Sequence, residues 1–219
     1  PSGLVAALAG LPPNVPVRAA LNAKGPPSDF NGTLDVAAQG MLEATGNVSA
    51  AWAARVRATL ELRVTTGQLL SAPLRAALGN QARLNIDVEE GDDRVVRIRR
   101  GALIGPALQA TLAGTFDRAD GNADLTMDVT ADNEGALRLA ELTAPLKFSA
   151  ARLRVHATGG LESLRVRGDG ELRSVAALAF NANRAAIDFD VRQRPGAQLD
   201  VRAHIVADKP QGPSPTYAE

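Results

Sequence analysis

The chain has 219 residues, with 24 Lys and Arg against 24 Asp and Glu, and the two signs are interleaved along it. A net charge of zero without a basic stripe excludes a nucleic-acid groove. The absence of cysteine excludes disulfides and thiol chemistry, and no run of about 18 apolar residues reads as a membrane-spanning helix. No signal peptide is read within this stretch, and the start at Pro1 rather than methionine reads as a processed or excised segment.

In chain order, Leu4 to Leu11 suits a helical turn or two, and Val17 to Gly25 reads as a strand. Leu34 and Val36 begin a pattern in which apolar and polar residues alternate, the signature of a strand with one apolar face and one wet face. The pattern is strongest in Arg55 to Val64, where Val56, Leu60 and Leu62 alternate with Arg57, Thr59, Glu61 and Arg63. A second short helical segment is expected at Leu69 to Leu78, followed by a strand with Leu84, Ile86 and Val88 on one face and Arg83, Asn85 and Asp87 on the other. Ile98 and Leu112 belong to the next pair of strands, and Leu125, Met127 and Val129 oppose Asp124, Thr126 and Asp128. A third helical segment is read at Leu137 to Leu142. After it come Leu153 and Val155 against Arg152 and Arg154, Leu164 and Val166, then Ile187, Phe189 and Val191 against Asp188, Asp190 and Arg192, and finally Leu199 and Val201. The Pro-rich stretch after Asp208 cannot hold a strand and reads as a flexible tail over 209–219.

Turn chemistry at Asn31-Gly32, Gly46-Asn47, Gly91-Asp92, Asp120-Gly121, Gly168-Asp169-Gly170 and Pro195-Gly196 punctuates these strands at hairpin intervals, so the expected fold is all-β. It is an antiparallel meander of about 14 strands with few helical turns, curled into an elongated open trough whose interior is apolar. The helical segments divide it into three loose repeat units, 1–66, 67–134 and 135–208. The named apolar residues are the expected lining. Aromatics are only 3% of the chain and alanine is its commonest residue, so that lining is aliphatic and smooth. At about 25 cal/mol per Å², alkyl chains satisfy such a surface as well as protein does.

Catalytic signals are weak. His156 and His204 fall on the wet face among arginines and aspartates and read as surface histidines, since no second ligand converges on either. Glu89-Glu90-Gly91-Asp92-Asp93 reads as a solvated hairpin rather than a calcium loop, and Asp117 to Asp124 as a turn lacking the closing glutamate of such a loop. Trp52, beside a turn, reads as a local packing plug. No nucleophile elbow, phosphate loop or zinc-protease helix occurs, so no active site, metal or cofactor is expected.

Three stretches carry a family resemblance: Gly10-Leu-Pro-Pro-Asn-Val-Pro-Val-Arg-Ala-Ala-Leu-Asn-Ala-Lys-Gly25, Gly67-Gln-Leu-Leu-Ser-Ala-Pro-Leu-Arg-Ala-Ala-Leu-Gly79 and Arg100-Gly-Ala-Leu-Ile-Gly-Pro-Ala-Leu-Gln-Ala-Thr-Leu-Ala-Gly-Thr-Phe-Asp117. In rhythm, from Leu4 to Val206, the chain resembles the TamB family of Gram-negative envelope proteins and the wider AsmA-like group. The resemblance implies an interior periplasmic segment of an inner-membrane-anchored bridge protein, with the β-taco shape. It implies a conduit carrying phospholipid acyl chains between the two membranes in outer-membrane biogenesis. It also implies a role in the translocation and assembly module, beside an outer-membrane barrel partner of the TamA/BamA type engaged through the full-length protein. The alternative is a structural or adhesin-like β scaffold that binds protein partners.

Overall fold

The structure, a computed structural model, describes residues 16–26, 28–38, 42–52, 55–67, 71–91, 93–141, 143, 146–160, 163–177, 180–194 and 198–208. The alternating segments form β1 (Val17–Lys24), β2 (Asp29–Ala38), β3 (Leu42–Trp52), β4 (Val56–Thr66), β5 (Gln81–Glu90), β6 (Val95–Ile104), β7 (Leu108–Asp117) and β8 (Ala123–Ala131). After these come the two-residue β9 (Leu146–Lys147), β10 (Ala150–Gly159), β11 (Arg165–Ala177), β12 (Phe180–Arg194) and β13 (Gln198–Asp208). All belong to one antiparallel sheet. Strands pair in chain order from β1 to β8 and from β10 to β13, β8 pairs with β10, and β9 pairs with the end of β11. The path runs from edge strand β1 to edge strand β13 and does not close on itself.

Three of the expected turns are strand interiors. Asn31-Gly32 lies in β2, Gly46-Asn47 in β3 and Gly168-Asp169-Gly170 in β11. These glycines relieve contact rather than permit bending: a Cβ on Gly46 would stand 1.9 Å from the Glu61 carbonyl oxygen, and one on Gly168 2.3 Å from the Phe189 ring. Gly91 and Asp120-Gly121 do turn. The Arg94 amide donates to the Gly91 carbonyl at 3.3 Å and the Gly121 amide to the Asp117 carbonyl at 3.0 Å. Pro195-Gly196 lies outside the described residues, as do Leu4 to Leu11 and the 209–219 tail.

Two short helices interrupt the meander. Helix α1 (Ala72–Leu78) has Pro73 in its first turn, where a missing amide hydrogen costs nothing. Helix α2 (Asn133–Ala140) begins earlier than the apolar segment Leu137 to Leu142 suggests, because the Asp132 carboxylate accepts from the Gly135 amide at 2.9 Å and caps it. The β6–β7 turn ties the helices together: the Ala107 amide donates to the Ala77 carbonyl and the Ala107 carbonyl accepts from the Asp132 amide, both at 3.2 Å. Gly135 permits this approach, since a Cβ there would lie 2.1 Å from the Ala107 oxygen.

The helices bury Ala77, Leu78, Ala136 and Ala140 against Ala82, Leu108, Ala131, Phe148, Val175 and Ala185 at one end of the strands. This core is small. Among the described residues no large side chain is fully buried, and most buried apolar residues are alanines. Two sheets packed face to face about 10 Å apart would bury bulky side chains between them, so the fold is an open sheet and not a sandwich.

Candidate functional site

Partners across an antiparallel pair share a face, so the registers can be followed from edge to edge. One row runs Leu21, Leu34, Gly46, Leu62, Leu84, Leu103, Ala110, Val129, Leu153, Gly170, Ile187, Ile205. The next runs Ala23, Gly32, Val48, Leu60, Ile86, Gly101, Leu112, Met127, Val155, Gly168, Phe189, Ala203. A third runs Phe30, Ala50, Ala58, Val88, Ile98, Gly114, Leu125, Ala157, Val166, Val191, Val201. No polar side chain interrupts any of them. These registers put most of the named apolar residues on one face of the sheet. Val36 sits one row higher with Ala44, Val64 and Ala82, and Val56 lies opposite Trp52 at the other margin. Leu199 is opposite Gln193 at that same margin. Leu164 precedes β11 and its carbonyl accepts from the Gln193 amide at 2.8 Å.

Continuity depends on one irregularity. The pairing of β6 shifts against β5 between Asp87 and Val88, and against β7 between Ile98 and Gly101. This bulge accommodates the adjacent Arg99 and Arg100 while returning Ile98 and Gly101 to the apolar face. An unbulged strand would turn an arginine into the rows.

Among the described residues, the two helices cover one margin of the face. The helices pack over the row containing Ala82, Leu108, Ala131 and Ala185, all buried. Beyond it Leu60, Leu84, Ile86, Met127, Val155 and Phe189 are half-buried, while Leu62 and Ala50 are buried. Trp52 stands at the opposite margin, its ring centroid 5.6 Å from that of Phe30, and is itself exposed.

The other face is charged. Arg57, Glu61 and His156 are exposed there, and Asp87, Asp128 and Asp190 are half-buried. Cross-strand pairs knit it together: Arg154 donates to Asp128 at 2.7 Å, and Arg165 to Asp190 at 3.0 Å. Arg165 first and Arg192 second hold the Asp190 carboxyl well below the usual carboxylate range. His156 Nε2 lies 2.7 Å from Asp124, and His204 is opposite Asp188. Glu89 is not part of a solvated hairpin: it is a strand residue, 5% exposed, and accepts from Arg55 at 2.8 Å, Arg57 at 3.3 Å and Arg99 at 2.9 Å. Hydrogen bonds from Arg55 and then Arg57 lower its pKa. Sequence reading misses this clamp because its arginines come from the β3–β4 turn, β4 and the β6 bulge. The Oδ1 of Asp87 is buried without a hydrogen-bond partner.

Depressions on this charged face, such as the one of about 550 Å³ between Arg154, His156, Arg167, Asp169, Asp188 and His204, are crevices between compensating charges. Asp117 to Asp124 forms a turn in which the Asp117 and Asp120 carboxylates accept from the Ala119 and Asn122 amides at 2.7 and 2.9 Å. Among the described residues no group of three or more His, Cys, Asp or Glu is placed to hold a metal ion, and no helix is long and apolar enough to cross a membrane.

No family model matches the chain, and no curated protein matches it. A solved structure from work on the mechanism behind the in-meso crystallization of membrane proteins is similar over 86% of this chain and 80% of its own, at 11% identity and a TM-score of 0.26. A likeness at that level carries no argument about fold or function.

Proposed function

We propose that the uncovered apolar face binds lipid acyl chains and that the chain is a conduit segment of a bridge-like, TamB- or AsmA-like envelope protein. On this reading the sheet is the wall of a β-taco trough in the periplasm, moving phospholipid between inner and outer membranes. Outer-membrane biogenesis follows from that transport, with a TamA/BamA-type barrel engaged by the whole protein. The observation that carries the reading is the run of apolar rows from β1 to β13, most of whose side chains stay partly exposed outside the helical margin, with Leu62 and Ala50 buried.

The mechanism is passive. Acyl chains lie across the strands against branched aliphatics, alanine and glycine, and phosphate head groups stay in water beyond the margins. At about 4.8 Å per strand, the twelve-strand path gives a lipid-facing length of ~58 Å. Because each position presents similar aliphatic surface, the free energy of transfer stays level along the path, and no catalytic step is required.

The test is native mass spectrometry of the purified chain, combined with photocrosslinking from a probe at Ile86 or Phe189. The conduit reading expects co-purified phospholipid and lipid adducts at both positions. A chain free of lipid, with no adduct at either probe in the presence of phospholipid vesicles, would leave the protein-binding scaffold as the better account.

A further inference from the structure

We propose that Arg55, Arg57 and Arg99, gathered on Glu89, form an anion site that takes a phosphate group, carried either by a lipid head group or by free phosphate. The site stands on the geometry of the arginines and is independent of what occupies the apolar rows. Arg55 comes from the β3–β4 turn, Arg57 from β4 and Arg99 from the β6 bulge. Arg55 donates to Glu89 Oε1, whereas Arg57 and Arg99 both donate to Oε2.

One carboxylate balances one guanidinium, so the cluster carries two positive charges in excess. The neighbouring carboxylates are engaged elsewhere: Asp87, on the same face, is opposite Arg100, and Asp93 is paired with Arg97. Among the described residues, every other carboxylate in an ion pair meets one or two basic groups, and Glu89 alone meets three. Crowding like charges onto neighbouring strands is destabilising by itself, and an arriving anion relieves it.

Burial and donor count favour phosphate as that anion. Glu89 is a buried pedestal, while the side chains of Arg55, Arg57 and Arg99 are 71%, 56% and 53% exposed. Each guanidinium has five N–H donors in a rigid fork and gives one to Glu89, which leaves the rest for a ligand. Forks already held on a common carboxylate lose little further freedom when an oxyanion arrives, and arginine meets phosphate in charge-assisted, bidentate pairs. The position is informative too. Val56, which precedes Arg57, is opposite Trp52, so the cluster lies at the margin where the apolar rows end, away from the helices.

The test is calorimetric titration of the whole chain with inorganic phosphate, at an ionic strength matched with chloride, on the parent, Arg55→Gln, Arg99→Gln and the remote control Arg63→Gln. Each clamp variant leaves Glu89 two arginines, and circular dichroism checks that the sheet is retained. The parent should bind phosphate saturably. Each clamp variant should weaken that binding about tenfold, the loss of one charge-assisted partner, and Arg63→Gln should bind as the parent does. A parent without saturable phosphate binding overturns the proposal without reference to the variants, and so does an affinity that the clamp variants leave unchanged. Phosphatidylglycerol vesicles, with lipid photocrosslinking from a probe at Ile86, separate the two sources. A head-group phosphate predicts that adduct yield falls in the clamp variants together with phosphate affinity, and a free phosphate predicts unchanged adducts while the affinity falls. Phosphate binding with no adduct in any chain keeps the anion site and removes the lipid reading, and adducts without phosphate binding do the reverse.

Discussion

Leu108 and Leu112 lie four residues apart on β7, on the same face, and differ in what stands over them. Leu108 is 6% exposed beneath the helices, whereas Leu112 is half-buried in the middle row between Gly101 and Met127. Replacing each with glutamate separates a covered core from an uncovered face. Fully burying a leucine stabilises by about 1.5–3 kcal/mol. A half-buried one forfeits roughly 1 kcal/mol, and a carboxylate at Leu112 keeps its hydration from the open side. Leu112→Glu should therefore lower the melting temperature by only about 2–4 °C, the shift that 1 kcal/mol produces in a chain of this size.

At Leu108 the whole leucine contribution is lost and a carboxylate is left among Ala77, Leu78 and Ala136, which costs several kcal/mol more. The total of ~5 kcal/mol or more is comparable with the stability of a whole domain. Leu108→Glu should thus unfold the helical margin or drop the melting temperature by ~10 °C or more. The assay is thermal unfolding by circular dichroism, alongside lipid photocrosslinking from Ile86. Leu112→Glu should stay folded and lose lipid adducts. If it destabilises as severely as Leu108→Glu, the middle rows are a closed core and the reasoning fails.

Three further outcomes follow from local geometry. Gly46→Val should cost about 1–3 kcal/mol by forcing β3 away from the Glu61 carbonyl, read as a lower urea midpoint, and an unchanged midpoint would show that the strands are not that close. Asp132→Ala should remove about 1 kcal/mol by uncapping α2, and Asp132→Asn, which keeps an acceptor, should recover most of it in the same unfolding measurement. Because Glu89 is held below its ordinary value by Arg55 and Arg57, and Asp190 by Arg165 and Arg192, their contribution is complete above the ordinary carboxyl values and lost as pH falls through the lowered ones. Melting temperature should hold from neutral pH down to about pH 4.5 and decline below it. Glu89→Gln should flatten that decline, and an acid limb identical to the parent's would refute the clamp's role.

The two-residue period in segments such as Arg55 to Val64 and Leu125 to Val129 was enough to place those residues on the right strands and the right faces. Such a period can be read locally, and one buried-facing side makes register costly to violate. Glycine misleads a local reading because the same residue serves two physical ends. Asp120-Gly121 turns the chain, whereas Gly46 and Gly168 make room for a neighbour that only tertiary pairing supplies. The start of α2 escapes a reading of apolar residues alone, because these mark the side of a helix and Asp132 marks its beginning. The Glu89 clamp and the β6 bulge depend on residues brought together from separate strands, and no local pattern signals them.

The distribution of small residues bears on how level the apolar face is. In the middle row, Gly32, Gly101 and Gly168 are spaced among larger side chains, and the largest of that row, Phe189, is opposite Gly168 with its ring against the position a Cβ would occupy. The aromatic therefore lies over a gap in the sheet instead of standing up from it. A sandwich core has the reverse requirement, since protruding side chains from one sheet must fill hollows in another. A face whose bulk is folded into its own gaps offers little for a second protein layer to interlock with. An acyl chain has no fixed knobs and needs only continuous aliphatic contact. On the lipid reading proposed above, Gly168 with Phe189 folded over it suits a mobile acyl chain better than an interlocking protein layer as the occupant of the rows.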